Sequence, residues 1–127
     1  ATTFSVTDQA IWDVRLAELE QNVLSKWDQI TVWNAGKEGR RFYRSLSEDN
    51  RKKVVAFADV DPKKIAKKWY TYEEFDGPRK PKVPIIHYTE LKPPVVICVK
   101  LGLSNGNFER NLASLNLREG FDYVHFG

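Results

Sequence analysis

Short, uniformly apolar runs constrain this chain most. ITVW (30–33), KVVAFA (53–58), VPIIHY (83–88) and VVICVK (95–100) are bounded by polar, Gly- or Pro-bearing segments. A strand with one wet face alternates apolar and polar residues. A strand that is apolar throughout has both faces covered, and that arrangement belongs to parallel sheets with helices on each side. The terminal DYVHF (122–126) reads as a closing strand. The expected fold is therefore α/β, a Rossmann-like three-layer domain with about five mostly parallel strands.

The segments between these runs read mainly as helices and loops. Residues 5–24 predict a helix, with Ser5 or Thr7 accepting bonds from its free N–H groups and Asp8 near its positive end. Ile11, Trp12, Arg15, Leu16, Leu19 and Val23 recur at helical spacing along one side. RRFYRSLSED (40–49) predicts a helix with Phe42, Tyr43 and Leu46 facing inward. Pro62 opens a short helix, PKKIAKKW. TYEEFDGPRKPK (71–82) predicts a loop, and FDGPRKPK within it the flexible segment of the chain. TELKPP suggests a small helical turn, and LGLSNGN (101–107) a loop. FERNLASLNL predicts the last helix, with Gly120 as its C-cap.

The chain has 127 residues, 42% of them hydrophobic, which is one domain with enough apolar surface for a core. Residues 1–28 form its N-terminal helix and connector. No apolar run is long enough to span a bilayer. ATTFSVTDQA has neither the basic start nor the apolar centre of a signal peptide, so none is expected. The chain has no Met, and the expectation is a piece cut from a longer protein. One cysteine, Cys98, makes no internal disulfide, which suits a cytoplasmic location. No metal site is expected from two histidines and one cysteine far apart in sequence.

The loop after ITVW invites comparison with the dinucleotide fingerprint G-x-G-x-x-G. There the first glycine makes the turn, the second lets backbone reach the pyrophosphate and the third permits close helix–strand packing. Here the pattern is Asn34-x-Gly36-x-x-Gly39. Asn is the non-glycine residue best suited to positive φ. Asp59, 20 residues after Gly39, stands where a ribose-binding carboxylate would end the second strand. A nucleotide site of Asn34, Gly36, Gly39 and Asp59 is one reading. Lys37, Arg40 and Arg41 crowd the helix entrance, however, and favour a phosphate-attracting helix start instead. A turn kept only for packing is the third reading.

Charge is unevenly spread. From Lys37 to Lys82 there are 14 Lys and Arg against 8 Asp and Glu, a balance of +6, while the remainder has 6 against 9, a balance of −3. Lys37, Arg40, Arg41 and Arg44 form one basic group; Lys63, Lys64, Lys67 and Lys68 form a second; Arg79, Lys80 and Lys82 form a third. Trp69, Tyr70, Tyr72 and Phe75 interleave with the last two. Cations for phosphates beside rings for unstacked bases are what looped and single-stranded RNA recognition uses. The residues chosen for tRNA or phosphate contact are Lys37, Arg40, Arg41, Arg44, Lys64, Lys67, Lys68, Arg79 and Lys80.

No catalytic constellation emerges. His87 and His125 read as packing or capping residues, and Cys98 as a small buried side chain. Glu73, Glu74 and Asp76 read as solvated carboxylates. Ser45, Ser47 and Ser104 lack a nucleophile-elbow context.

WNAGKEGRRFYRSL, KVVAFADVD, KVPIIHY, PPVVICVKL and GFDYVHF together resemble the C-terminal region of the beta-1,3-N-acetylglucosaminyltransferase-like family, from about residue 20 onward. Its animal members are described as queuosine-tRNA galactosyltransferases. The resemblance implies galactosyl transfer from UDP-galactose to the cyclopentene-diol of queuosine in a tRNA anticodon. It places that catalysis in an N-terminal GT-A domain with an Asp-x-Asp metal motif, absent from this chain. Asp59-Val60-Asp61 is the D-x-D here, and the metal role is not carried onto it. This chain would then be a non-catalytic accessory domain without a cofactor of its own. The divalent metal and UDP-sugar belong to the catalytic half. Its implied partners are tRNA and that N-terminal domain, with no membrane. If the module only docks, Trp12 and Leu16 are the candidate docking face.

Overall fold

The computed structural model describes residues 7–99 and 106–127. Ser5, Lys100, Ser104 and most of the 101–107 loop lie outside them. The described residues form a six-stranded sheet, β1 (Ile30–Trp33), β2 (Val54–Asp59), β3 (Trp69–Thr71), β4 (Lys82–His87), β5 (Val95–Ile97) and β6 (Tyr123–His125), in the order β3-β4-β2-β1-β5-β6. Every pairing is parallel except β3 with β4. The helices are α1 (Asp8–Asn22), α2 (Lys37–Ser45), α3 (Glu48–Arg51), α4 (Pro62–Ala66) and α5 (Asn107–Ser114). No helix among the described residues is long and apolar enough to cross a membrane.

Alternation along the strands divides the core into two layers. Ile30, Val32, Val96 and Cys98 face one cluster, with Trp12 and Leu16 of α1 and Phe42, Tyr43 and Leu46 beyond them. Trp33, Val95 and Ile97 face the other, with Phe108 of α5 and the partly buried Leu112 and Leu115. Both faces of β1 and β5 are thereby covered, and all seven of their residues are buried. That is why ITVW and VVI show no wet face, and the one hydroxyl among them, Thr31 Oγ1, donates to Lys92 O at 2.9 Å. The fold is the Rossmann-like three-layer arrangement that the runs predict.

Several local expectations are corrected. Trp69–Thr71 is an edge strand rather than the end of the PKKIAKKW helix, which stops at Ala66. Lys68 takes positive φ (67°) and turns the chain into β3, whose Trp69, Tyr70 and Thr71 oppose Pro84, Val83 and Lys82. The β3–β4 connection is tied down. Lys80 Nζ donates to the carbonyls of Glu73 and Phe75, and the Arg51 guanidinium lies 5.1 Å from the Phe75 ring centre. Gly120 does not cap α5. The helix ends at Ser114, Asn116 supplies the left-handed residue (φ 54°), and Gly120 (φ 86°) shapes the turn before β6. Along α1, whose start is capped by Thr7 Oγ1, Trp12 and Leu16 are buried but Ile11 is exposed. Trp12 packs edge-on to Phe126 with ring centres 4.8 Å apart, so Trp12 and Leu16 belong to the core and offer no docking face.

Candidate functional site

From β1 the chain winds outward through β2 to β4 and its β3 edge, then returns to the other side of β1 as β5 and β6. The strand order thus reverses between β1 and β5. In open α/β sheets, ligands occupy the crevice beyond the strand ends at such a point. The loop after β1 lies there.

Asn34 dominates this loop. Its φ is 131°, a strained value for a residue with a side chain. Its backbone N–H donates to Ala58 O of β2 (2.9 Å), and its Nδ2 donates to Cys98 O just beyond β5 (3.0 Å). One residue therefore ties both neighbours of β1 together. Its Oδ1 accepts the Gly36 N–H at 2.5 Å. The N–H groups of Ala35, Val60 and Asp61 all donate to the Asp59 carboxylate, at 2.8, 2.7 and 3.0 Å. A methyl group at Gly39 would lie 1.7 Å from Asn34 O, so glycine is obligatory for this helix–loop approach. The four residues read as a nucleotide site thus converge, and each is engaged within the turn. In the dinucleotide fingerprint the second glycine's backbone approaches pyrophosphate. Here the Gly36 N–H points into the Asn34 carboxamide.

Two hollows flank the loop. On the α5 side is a cavity of about 300 Å³ lined by Trp33, Asn34, Asp59, Val60, Phe108 and Asn111 among others, with no cation among the described residues of its wall. The Trp33 ring is stacked with Tyr88 and met edge-on by Phe108. Tyr88 in turn donates its hydroxyl to Asn111 Oδ1 at 3.2 Å.

On the α2 side is a groove of about 350 Å³. Arg40 and Arg44, one turn apart on α2, line it together with Lys64 and Lys67. Ala35 and Ile85 contribute apolar surface, β3 supplies Trp69, Tyr70 and Thr71, and Glu73 and Glu74 add two carboxylates. Among the described residues no carboxylate comes within 4 Å of the four cations' nitrogens. Arg40 Nε is held on Gly36 O at 3.2 Å. Trp69 is 54% exposed. The topology therefore brings together Arg40 and Arg44 with Lys64 and Lys67, though some 20 residues separate the two pairs.

The other basic residues read from the sequence lie outside this lining. Arg41 stacks on Trp12, its guanidinium carbon 3.8 Å from the ring centre, and donates to Gln9 Oε1. Lys80 is bound to its own loop. Lys37, Lys68 and Arg79 are exposed elsewhere. The paired participation of Glu73 and Glu74 escaped the sequence reading. The W-Y-T run after Lys68 was the available signal for β3, since aromatic and β-branched residues favour a strand.

The remaining candidates have structural duties. His87 Nδ1 lies 2.7 Å from Thr89 Oγ1 at the start of a 3-10 turn, and Tyr123 meets the His125 ring edge-on. Asp61 Oδ1 caps α4 by accepting the Lys63 N–H, so both carboxylates of Asp59-Val60-Asp61 serve the backbone. Ser45 Oγ donates to Arg41 O, and Ser47 Oγ caps α3. Burial, reinforced by the negative charge of Glu38, pushes the Cys98 thiol far above its usual range. The described residues contain no cluster of three His, Cys, Asp or Glu side chains able to hold a metal ion. In comparison with known proteins, the chain matches no family model, and no solved structure matches it significantly.

Proposed function

We propose that this chain is the non-catalytic C-terminal module of a tRNA-modifying glycosyltransferase, one that transfers galactose from UDP-galactose to queuosine, and that it holds tRNA phosphates. The resemblance of WNAGKEGRR and PPVVICVKL supplies the enzyme class. The observation that carries the RNA role is the convergence of Arg40, Arg44, Lys64 and Lys67 on one groove without a close ion-pair partner among the described residues. Four clustered cations create a positive field, which attracts a polyanion and releases its counterions.

The test is titration of a fluorescent tRNA anticodon stem-loop with the chain at two salt concentrations. Micromolar binding is expected, weakening steeply with salt. Arg40→Glu combined with Arg44→Glu should weaken it by at least about tenfold and flatten the salt slope by roughly 1.5, as each phosphate contact contributes about 0.7–0.9 to that slope. Unchanged affinity would remove the role.

The cavity at the switch point favours a second reading, a nucleotide or dinucleotide binder that uses the Asn34-Gly36-Gly39 loop. Melting with NAD, NADP or UDP-sugars separates the two, because a ligand that binds only the folded chain raises its melting temperature. No shift at about millimolar ligand, on the order of 100 times a typical site's Kd, would dismiss it.

A further inference from the structure

We infer that the basic groove takes an unpaired nucleotide, with its base stacked on the face of Trp69 and its flanking phosphates on Arg40, Arg44, Lys64 and Lys67. This rests on the RNA reading above and narrows it to single-stranded segments.

Trp69 is the observation behind it. Of the four tryptophans, Trp12 and Trp33 are buried, Trp27 is half-buried, and Trp69 alone is exposed. An indole left in water forfeits the stabilisation that burial brings. The molecule covers ring faces elsewhere with arginine: Arg41 on Trp12, Arg15 on Phe126, Arg51 on Tyr72 and Phe75, Arg118 on Phe121. Trp69 shares its groove with Arg40 and Arg44, yet among the described residues no guanidinium or ring stacks on it.

The indole is also well positioned. Trp69 lies in β3, in register with Pro84, and its backbone N–H donates to Lys67 O at 2.8 Å. The adjacent Tyr70 is anchored in the core, with ring centres 5.6 Å from Tyr43 and 5.3 Å from Phe57. The stacking platform thus rides on a strand rather than a loose loop. Every base has a π-face, but a duplex hides its faces within its own stack, so such a platform selects unpaired bases. Glu73 and Glu74 add a reason. In a purely phosphate-binding groove they are repulsive, whereas beside a base they accept bonds from ring and exocyclic N–H groups.

The experiment titrates the chain with a single-stranded RNA oligomer and with a blunt-ended RNA duplex of equal phosphate count, following tryptophan fluorescence and anisotropy of a labelled RNA. The single strand should quench the fluorescence, and Trp69→Ala should abolish the quench. That substitution should weaken single-strand binding about tenfold, in line with the loss of one base–aromatic stack. Trp69→Phe should restore most of it, and duplex affinity should change less than about twofold because no stack is lost there. Circular dichroism and melting of each variant verify that the fold is kept. Wild-type affinity in Trp69→Ala, alongside weakened binding in the Arg40→Glu, Arg44→Glu variant, would overturn the stacking site and leave the phosphate surface standing. Equal weakening for strand and duplex would overturn it too. If neither variant changes binding, the RNA reading itself falls.

Discussion

Asn34 stands where a dinucleotide turn has its first glycine, and its carboxamide changes what the turn can offer. It accepts the Gly36 N–H and reaches Cys98 O across the sheet, so the loop meets its own hydrogen-bonding needs. A buried polar group without such a partner would cost about 1–3 kcal/mol. Two bonds of this kind offset the strain of a φ of 131°. Behind them the Cys98 side chain is sealed, with its thiol protonated in the folded chain at every ordinary pH. Unfolding returns that thiol to its usual value of 9.0, so its pKa is raised by folding. The contribution to stability is therefore complete below pH 9 and declines as pH rises beyond it, by about 1.4 kcal/mol at pH 10. Burial also raises the pKa of Tyr43, with Tyr70 and Tyr72 adding to this and Arg51 opposing it. Tyr43 therefore extends the decline above 10.0. Urea unfolding at about pH 8 and pH 10 measures the effect, and Cys98→Ala should flatten the slope between them. Parallel slopes in the two proteins would mean that the folded thiol ionises freely.

Among the elements, α1 is a long helix held by few buried residues. Its buried residues are Trp12 and Leu16, joined by the partly buried Leu19, while Ile11 and Val14 face water. Trp12 touches both Phe126 and the Arg41 guanidinium. Trp12→Ala should then cost about 3–5 kcal/mol and release α1 first. Limited proteolysis would show early cuts within α1 with the remaining sheet intact. A lower melting temperature without preferential cutting there would place α1 in the cooperative unit. The contrast with the strands explains what was legible in the sequence. ITVW and VVICV declare themselves because two-sided burial leaves them apolar apart from Thr31, whose hydroxyl donates to Lys92 O. The short β3 does not, since an edge strand needs only partial burial of Tyr70 and Thr71 and takes lysines just before it. Gly120 invited a helix-end reading because glycine is the usual left-handed residue. Asn116 holds that place at the end of α5, and the preceding Leu115 does not distinguish helix from exit. At the groove, clusters of Lys and Arg were visible as composition. Which of them meet depends on helix phase and strand order: Arg40 and Arg44 share a face at four-residue spacing, while Arg41, one position on, turns to Trp12.

For the whole molecule, topology turns a linear charge asymmetry into a spatial one. The stretch from Lys37 to Lys82, with its balance of +6, builds α2, α3, β2, α4 and β3 and ends at the start of β4. The strand order places β2, β4 and β3 together on one side of β1, and β5 and β6 on the other. Because the chain completes one half of the sheet before starting the next, residues close in sequence share a side. The two hollows divide likewise: the cation-lined groove opens toward β3 and β4, and the cavity that holds Asp59 but no cation among its described lining residues opens toward α5. A ligand therefore leaves a signature in its salt dependence as well as in its affinity. At 100 times its Kd, an anticodon stem-loop should stabilise the chain by about 2.7 kcal/mol, which for a domain of this size raises the melting temperature by roughly 10 °C. In the groove, that shift should shrink steeply as salt rises and vanish in the Arg40→Glu, Arg44→Glu variant. A shift that survives both salt and charge reversal would instead move binding to the cavity between Trp33 and Phe108, whose described lining includes the Asp59 carboxylate and no cation. Thermal melts across a salt series thus decide which half of the sheet carries the function.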